Sequence, residues 1–440
     1  MGASYKTYLR WPQDKAAAGG YVLAKLDKQA ALLLIVQAMY GVANALSGTF
    51  VPVYLWKASE SYMLIGWFTF AQFVLGGLTF WVVGKWVKEH NKMNSLRVGI
   101  ALSGVFYCAV LLLGTAAKTW AVPLGALNGI AMGMFWIACN VVYFEVTEPD
   151  TRDSYNGWAG LLGSTAGILA PWISGLLITT MQGEKGYRLI FTLSLAIFAA
   201  SVVLSFWLKK RKAEGTYDWL YGLRQLSTKG NSWRRMFPAI VAQGVREGVF
   251  MFLVGLTVYI ATRDESKLGT YSLITSFVAL ISFWAVGKWL KPHRRLTGML
   301  IGVVMISLVI LPLFWQVSYT TLLMFGIGTS LFMPLYIIPM TSRVFDLIGE
   351  SRESASHREE FVVLREAGLT LGRMAGLSAY LIVLPITDSP RAITWLLLGV
   401  GVVPIAGWWF IRPFLQEQHS DVREGNRRSR IKGKAKPKTS

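Results

Sequence analysis

Three stretches of this chain, Met63 to Val83, Leu161 to Met181 and Leu189 to Leu208, each run about twenty residues without a charged side chain. At a rise of roughly 1.5 Å per residue, each is the length of a helix crossing a hydrocarbon layer of roughly 30 Å. Backbone groups in lipid must find partners within the protein, so a spanning chain is helical or a closed barrel. Barrel strands alternate polar and apolar residues, and these blocks do not. Composition agrees: 53% of residues are hydrophobic and only 15% charged, too little charge to cover a soluble protein of this size.

The formal net charge of +20 would suit a nucleic-acid partner if it were spread over one face, but it is sorted by connection. If both ends of the chain lie on one side, that side collects 35 Lys and Arg and the other seven, with Arg246 and Arg373 left inside spans. The positive-inside rule then places both termini in the cytoplasm, with no nucleic acid expected as a partner. The two cysteines, Cys108 and Cys139, sit in apolar blocks and read as packing residues. The four histidines fall in polar connections, and no Cys/His metal spacing or cleavable signal is present. No metal or cofactor is expected.

Twelve spans are expected, near 30–56, 61–87, 97–115, 119–145, 156–180, 187–208, 238–261, 268–290, 297–315, 319–342, 364–387 and 391–412. This divides the chain into an N-terminal segment (1–29), a six-helix bundle (30–208), a linker (209–237), a second bundle (238–412) and a basic tail (413–440). The linker opens with "KKRKAEG" and closes with "NSWRR", and its "YDWLYGL" fits a short interfacial helix. The tail reads as a solvated segment or as one drawn to anionic headgroups.

The two bundles are related. "FWVVGKWVKEH" (Phe80 to His90) returns 203 residues later as "FWAVGKWLKPH" (Phe283 to His293), with eight of eleven positions identical. Weaker echoes link "NGIAMGMFWI" with "FGIGTSLFMP", and "AGLLGSTAGI" with "AGLTLGRMAGL". The second, fourth and fifth spans each match the span six later. A parallel duplication of this kind marks secondary transporters, whose substrate sites lie between the repeats.

Six plus six spans, a basic central linker and a Gly-anchored basic loop after spans two and eight resemble the major facilitator superfamily over roughly residues 30–412. The family signature after span two has the form G-x-L-A-D-R-x-G-R-K. Here it reads "GKWVKEHNKMN" from Gly84, with Lys88 at the acid's position and Glu89 one place later. The resemblance therefore does not carry over that motif's salt-bridge latch. Gly287 and Lys291 are the counterparts after span eight. "GILAPWISG" in span five is similar to the G-x-x-x-G-P-x-x-G-G pattern of proton-driven exporters of the superfamily, matching at Gly167, Pro171 and Gly175. The resemblance implies a gating role for these residues. Tight packing of small residues around a helix bend explains them equally well.

Charges inside spans are costly and need a partner or a cavity. Span seven holds Gln243, Arg246 and Glu247, and span eleven holds Arg373. Gln243 and Glu247 are four residues apart and share a face. Glu247 and Arg373 lie at matched depth with opposite charge, so an ion pair between them is expected. It would either carry a proton, bind an anionic group through arginine, or only position helices. Glu145, Arg365 and Glu366 read as interfacial. The N-terminal half offers neutral groups instead: Asn44, Gln72, Asn128, Asn140 and Trp136.

A charged half facing an amide-rich, aromatic half suits a small amphiphilic or anionic substrate. The reading is an alternating-access secondary transporter, exporting against protons, in the plasma membrane, as a monomer. A lipid-headgroup flippase or an uptake symporter of the same fold stays open, as does a membrane-embedded receptor or enzyme. No nucleophile constellation and no G-x-x-x-x-G-K-[ST] loop is present.

Overall fold

A pair of strained turns carries the duplication into three dimensions. Glu60 (φ 49°) and Arg263 (φ 53°) both take the left-handed conformation that non-glycine residues avoid. Each closes one helix, its N–H donating to Trp56 O or Tyr259 O, and the next helix is capped by the side chain of Ser61 or Asp264. The two turns lie at the same spacing as the sequence repeat. Trp56 and Tyr259 then meet edge to face across the halves, with centroids 6.0 Å apart.

The computed structural model describes residues 26–147, 149–181, 184–209, 215–290, 294–349, 352–383 and 390–416. The described residues are almost entirely helical and contain no strand. Eleven helices among them are long and apolar enough to cross a membrane. In order these are Lys28–Ser59, Tyr62–Glu89, Lys92–Lys118, Ala121–Tyr143, Gly157–Thr180, Glu184–Ser205, Trp233–Thr262, Glu265–Trp289, Arg295–Phe314, Tyr319–Ile348 and Ala392–Gln416. They are spans one to ten and twelve. Span eleven, Arg358–Val383, is too charged to qualify by composition. Its packing shows that it crosses nonetheless. It runs antiparallel to span two for the full length of that helix, from Gly66 against Tyr380 at one end to Gly84 against Val363 at the other.

The N-terminal segment up to residue 25, the tail beyond residue 416 and Lys291 lie outside the described residues. The linker side of the molecule is the face that carries the connection between the halves, and the far side is the face opposite it.

The halves meet along two seams, span two with eleven and span five with eight. The first is packed end to end. The second is tight only toward the far side, where Gly175 lies against Glu265 and Gly269 against Pro171 and Trp172. Toward the linker side, Gly157, Gly160, Gly163 and Gly167 of span five and Gly287 of span eight face open space.

Within the C-terminal half, spans seven and eleven cross at backbone contact. A side chain on Gly244 would strike Leu369 O, and one on Gly372 would strike Val241 O. This close approach of small residues is the usual way helices associate without help from water. Gly372→Ala is expected to destabilise the protein by about 1–3 kcal/mol through overpacking, while Gly287→Ala, inside a helix with open space around it, raises stability by about 0.5–1 kcal/mol. The apparent melting temperatures of the purified variants check both.

Candidate functional site

Span one is broken. Its helices Lys28–Gly48 and Val51–Ser59 meet at Thr49 and Phe50, and Pro52 opens the second without a donor to give. The break faces a cavity of about 280 Å³ lined by Asn44, Gly48, Val51 and Pro52 from this span, joined by Phe68, Gln72, Phe73, Asn128, Met132 and Trp136. Its size is just below the roughly 300–1,000 Å³ typical of small-molecule sites. Span seven of the other half closes it with Met251 and Phe252. The lining offers amides, thioethers and aromatic faces. Asn44 donates to Tyr40 O at 3.1 Å and Gln72 to Met132 Sδ at 3.2 Å. Asn140, one turn beyond Trp136, does not line the cavity.

The charges of the C-terminal half stand behind this wall. Arg373 Nη2 and Nε donate to Glu247 Oε2 at 3.0 and 3.3 Å, and Nη1 donates to Glu366 Oε1 at 2.6 Å. The other Glu247 oxygen accepts from Gln243 Nε2 at 2.7 Å. Arg373 is thus held between two carboxylates, the second being Glu366, which the sequence alone reads as interfacial and does not pair with it. The reason is spacing: Glu366 and Arg373 are seven residues apart, two turns along one face of span eleven. The Arg373 guanidinium also lies 5.2 Å from the ring centroid of Phe73, within cation–π range. Phe73 belongs to span two and lines the cavity, so one side chain connects the charged cluster of one half to the cavity of the other.

Arg246, next to Glu247, points elsewhere. Its guanidinium packs 4.2 Å from the Phe250 ring centroid and donates to Met333 Sδ at 3.5 Å. It lines no part of the cavity.

Gly84 and Lys88 lie where span two meets span eleven on the linker side. Lys88 Nζ donates to Glu360 Oε1 at 2.6 Å and to Ser356 O at 3.2 Å, with the Lys88 and Glu360 side chains both nearly fully buried. The linker seals this contact: Tyr217 N donates to Glu89 Oε1 and Asp218 N to Glu360 Oε1, while the Tyr217 ring covers Gly84. Burial first, then the Glu360 charge, pushes the Tyr217 phenol well above its ordinary range, so it stays neutral. An ion pair therefore joins the halves here, with lysine where the family signature has its acid and the carboxylate supplied by span eleven. Sequence spacing within the motif held no sign of Glu360, whose partner is 272 residues away. Beside it, Lys92 pairs with Glu145, and Arg358 lies 3.8 Å from Glu145. On the far side, Lys57 of span one pairs with Glu265 at 2.9 Å, and Tyr187 donates to the same oxygen at 3.0 Å.

In span five, Pro171 and Gly175 make the close contact with span eight, while Gly167 has open space around it. Small residues there serve helix approach at two positions of the three.

The Major Facilitator Superfamily model matches residues 33–352. The uncharacterized protein YqgE of Bacillus subtilis (strain 168) is 34% identical over 380 residues, 86% of this chain and 88% of that protein. Crystal structures of a bacterial homologue of the iron transporter ferroportin share the fold. The outward-facing form aligns with TM-score 0.63 at 13% identity, covering 90% of this chain and 100% of that one. The inward-facing form aligns with TM-score 0.62 at 15% identity, covering 88% and 98%.

Exchanging the charges of this ion pair provides a direct check. Lys88→Glu should set two buried carboxylates against each other and cost the contact between spans two and eleven about 3–5 kcal/mol, the range for a broken buried pair. Spin labels on the linker-side ends of spans two and eleven should then report a longer distance. Lys88→Glu combined with Glu360→Lys should restore the short one.

Proposed function

Because the chain belongs to the major facilitator superfamily, we propose that it is a secondary transporter that binds a small amphiphilic molecule in the cavity between its halves and exchanges it for protons at Glu247. One observation carries this reading: Arg373 bridges Glu247 and Glu366 while resting on Phe73, a wall of the cavity. Protonation of Glu247 would cancel one of the two charges holding Arg373. The guanidinium would then depend on Glu366 alone, and its position over Phe73 would shift with it. Proton binding and substrate binding would thus act on the same side chain from opposite halves, which is the differential contact that coupling requires.

The substrate class follows from the lining. Amides at Asn44, Gln72 and Asn128 can hydrogen-bond a polar group, and Trp136, Phe68 and Phe73 can hold an apolar or aromatic body. None of the lining residues is ionised, and the aromatic faces of Phe68, Phe73 and Trp136 can hold a cation, which favours neutral or cationic amphiphiles over anions. Among the described residues no group of three His, Cys, Asp or Glu is placed to hold a metal, so the amphiphile fits this cavity better than the iron named for the ferroportin homologues. We read the direction as export, the membrane as the plasma membrane with both termini cytoplasmic, and the working unit as a monomer, since one chain supplies both halves.

Proton flux into vesicles holding the purified protein tests the proposal, with lipophilic cations, neutral amphiphiles and organic anions offered in turn. Wild type should move protons only when a cationic or neutral amphiphile is present, and Glu247→Gln should abolish that flux while still binding substrate. Asn44→Ala should weaken binding severalfold and leave the proton flux per substrate intact. Substrate movement without protons, equal in wild type and Glu247→Gln, would sink the coupling assignment.

A further inference from the structure

A second site lies beside the coupling cluster, about 100° around span seven from Glu247. Arg246 is only 4% exposed, and among the described residues it forms no salt bridge. Its neighbour Glu247 is committed to Gln243 and Arg373. Phe250 and the Met333 thioether answer one face and one donor, but Nε and Nη2 have no hydrogen-bond partner among the described residues. An ion-paired guanidinium is tolerable in a membrane interior; one with two free donors is not.

The surrounding groups are of one kind. Tyr336 lies three residues beyond Met333 on span ten, is fully buried, and interacts electrostatically with Arg246. Its hydroxyl also has no partner. Thr329, four residues before Met333 on the same face, carries a third buried polar group without a partner. Span twelve closes the site with Gly407, where a side-chain carbon would come within 2.8 Å of Tyr336 Oη. The set thus holds one fixed positive charge and two hydroxyls able to donate, and the one carboxylate within electrostatic range, Glu247, is already held by Gln243 and Arg373. That is a lining for an anion.

We propose that Arg246, Tyr336 and Thr329 form a buried site for a small monovalent anion of the halide class, held between spans seven, ten and twelve. Such an ion would offset the charge of Arg246 and supply an acceptor to its free donors. The site is separate from the amphiphile cavity, and the proposal does not depend on the proton-coupling reading. Its role would be to fix span seven against spans ten and twelve, so that the neighbouring Glu247 meets Arg373 in register.

Thermal unfolding of the full-length protein tests this, with potassium chloride or bromide replacing potassium gluconate at constant ionic strength. Wild type should show a melting temperature that rises with halide and saturates. Tyr336→Phe, which keeps the ring and removes one donor, should raise the half-saturating halide concentration roughly tenfold. Arg246→Gln should abolish the response. If Arg246→Gln does not fold, Tyr336→Phe alone decides, and an unchanged half-saturation there overturns the proposal. So would a wild-type melting temperature indifferent to exchange of gluconate for halide, or a halide response of equal size in Arg246→Gln.

Discussion

An arginine in the interior of a membrane must be answered by opposite charge, and Arg373 is answered twice. Its fork reaches Glu247 on span seven with two nitrogens and Glu366 on its own helix with a third. This one side chain fixes the rotation of span eleven about its axis. Glu366, Arg373 and Tyr380 are spaced by seven and share one stripe of span eleven, with Thr370 beside it. The stripe that carries the pair therefore also faces span two, where Arg373 rests on Phe73 and Thr370 and Tyr380 fill against Gly77 and Gly66. The long seam between the halves and the ion pair at its linker end both depend on that orientation.

The pairing is possible only because spans seven and eleven touch backbone to backbone. Gly244 and Gly248 on one and Gly372 and Gly376 on the other leave no room for side chains between them. Close approach shortens the reach that Arg373 needs to its carboxylate and excludes lipid from the pair. Packing and electrostatics are therefore not separate contributions here. Small residues bring the helices together, and the charges fix their register.

Duplication gave the two halves the same parts, which the structure uses differently. The basic motif after span two is buried against span eleven and the linker; the described part of its copy after span eight has open space at Gly287. The linker accounts for this. It docks at the start of span eleven through Tyr221 on His357 and Trp233 on Phe361, and its Tyr217 covers the first copy. The cavity is uneven as well, with all the amides, one thioether and most of the aromatic rings from one half and only Met251 and Phe252 from the other.

The sequence by itself determined the helical class, the positions of the spans to within a few residues, the duplication and the identity of the charged residues inside the membrane. These are properties of length, hydropathy and repetition, which are written along the chain because lipid tests each span separately. It also held the small-residue spacings at Gly244/Gly248 and Gly372/Gly376, a legible sign that these helices approach closely. What only the tertiary structure decided were the partners: Glu366 for Arg373, Glu360 for Lys88, the isolation of Arg246, and the break in span one that opens onto the cavity. Partner choice depends on how each helix is rotated about its axis. That rotation is set by contacts between residues hundreds of positions apart, which no local pattern contains.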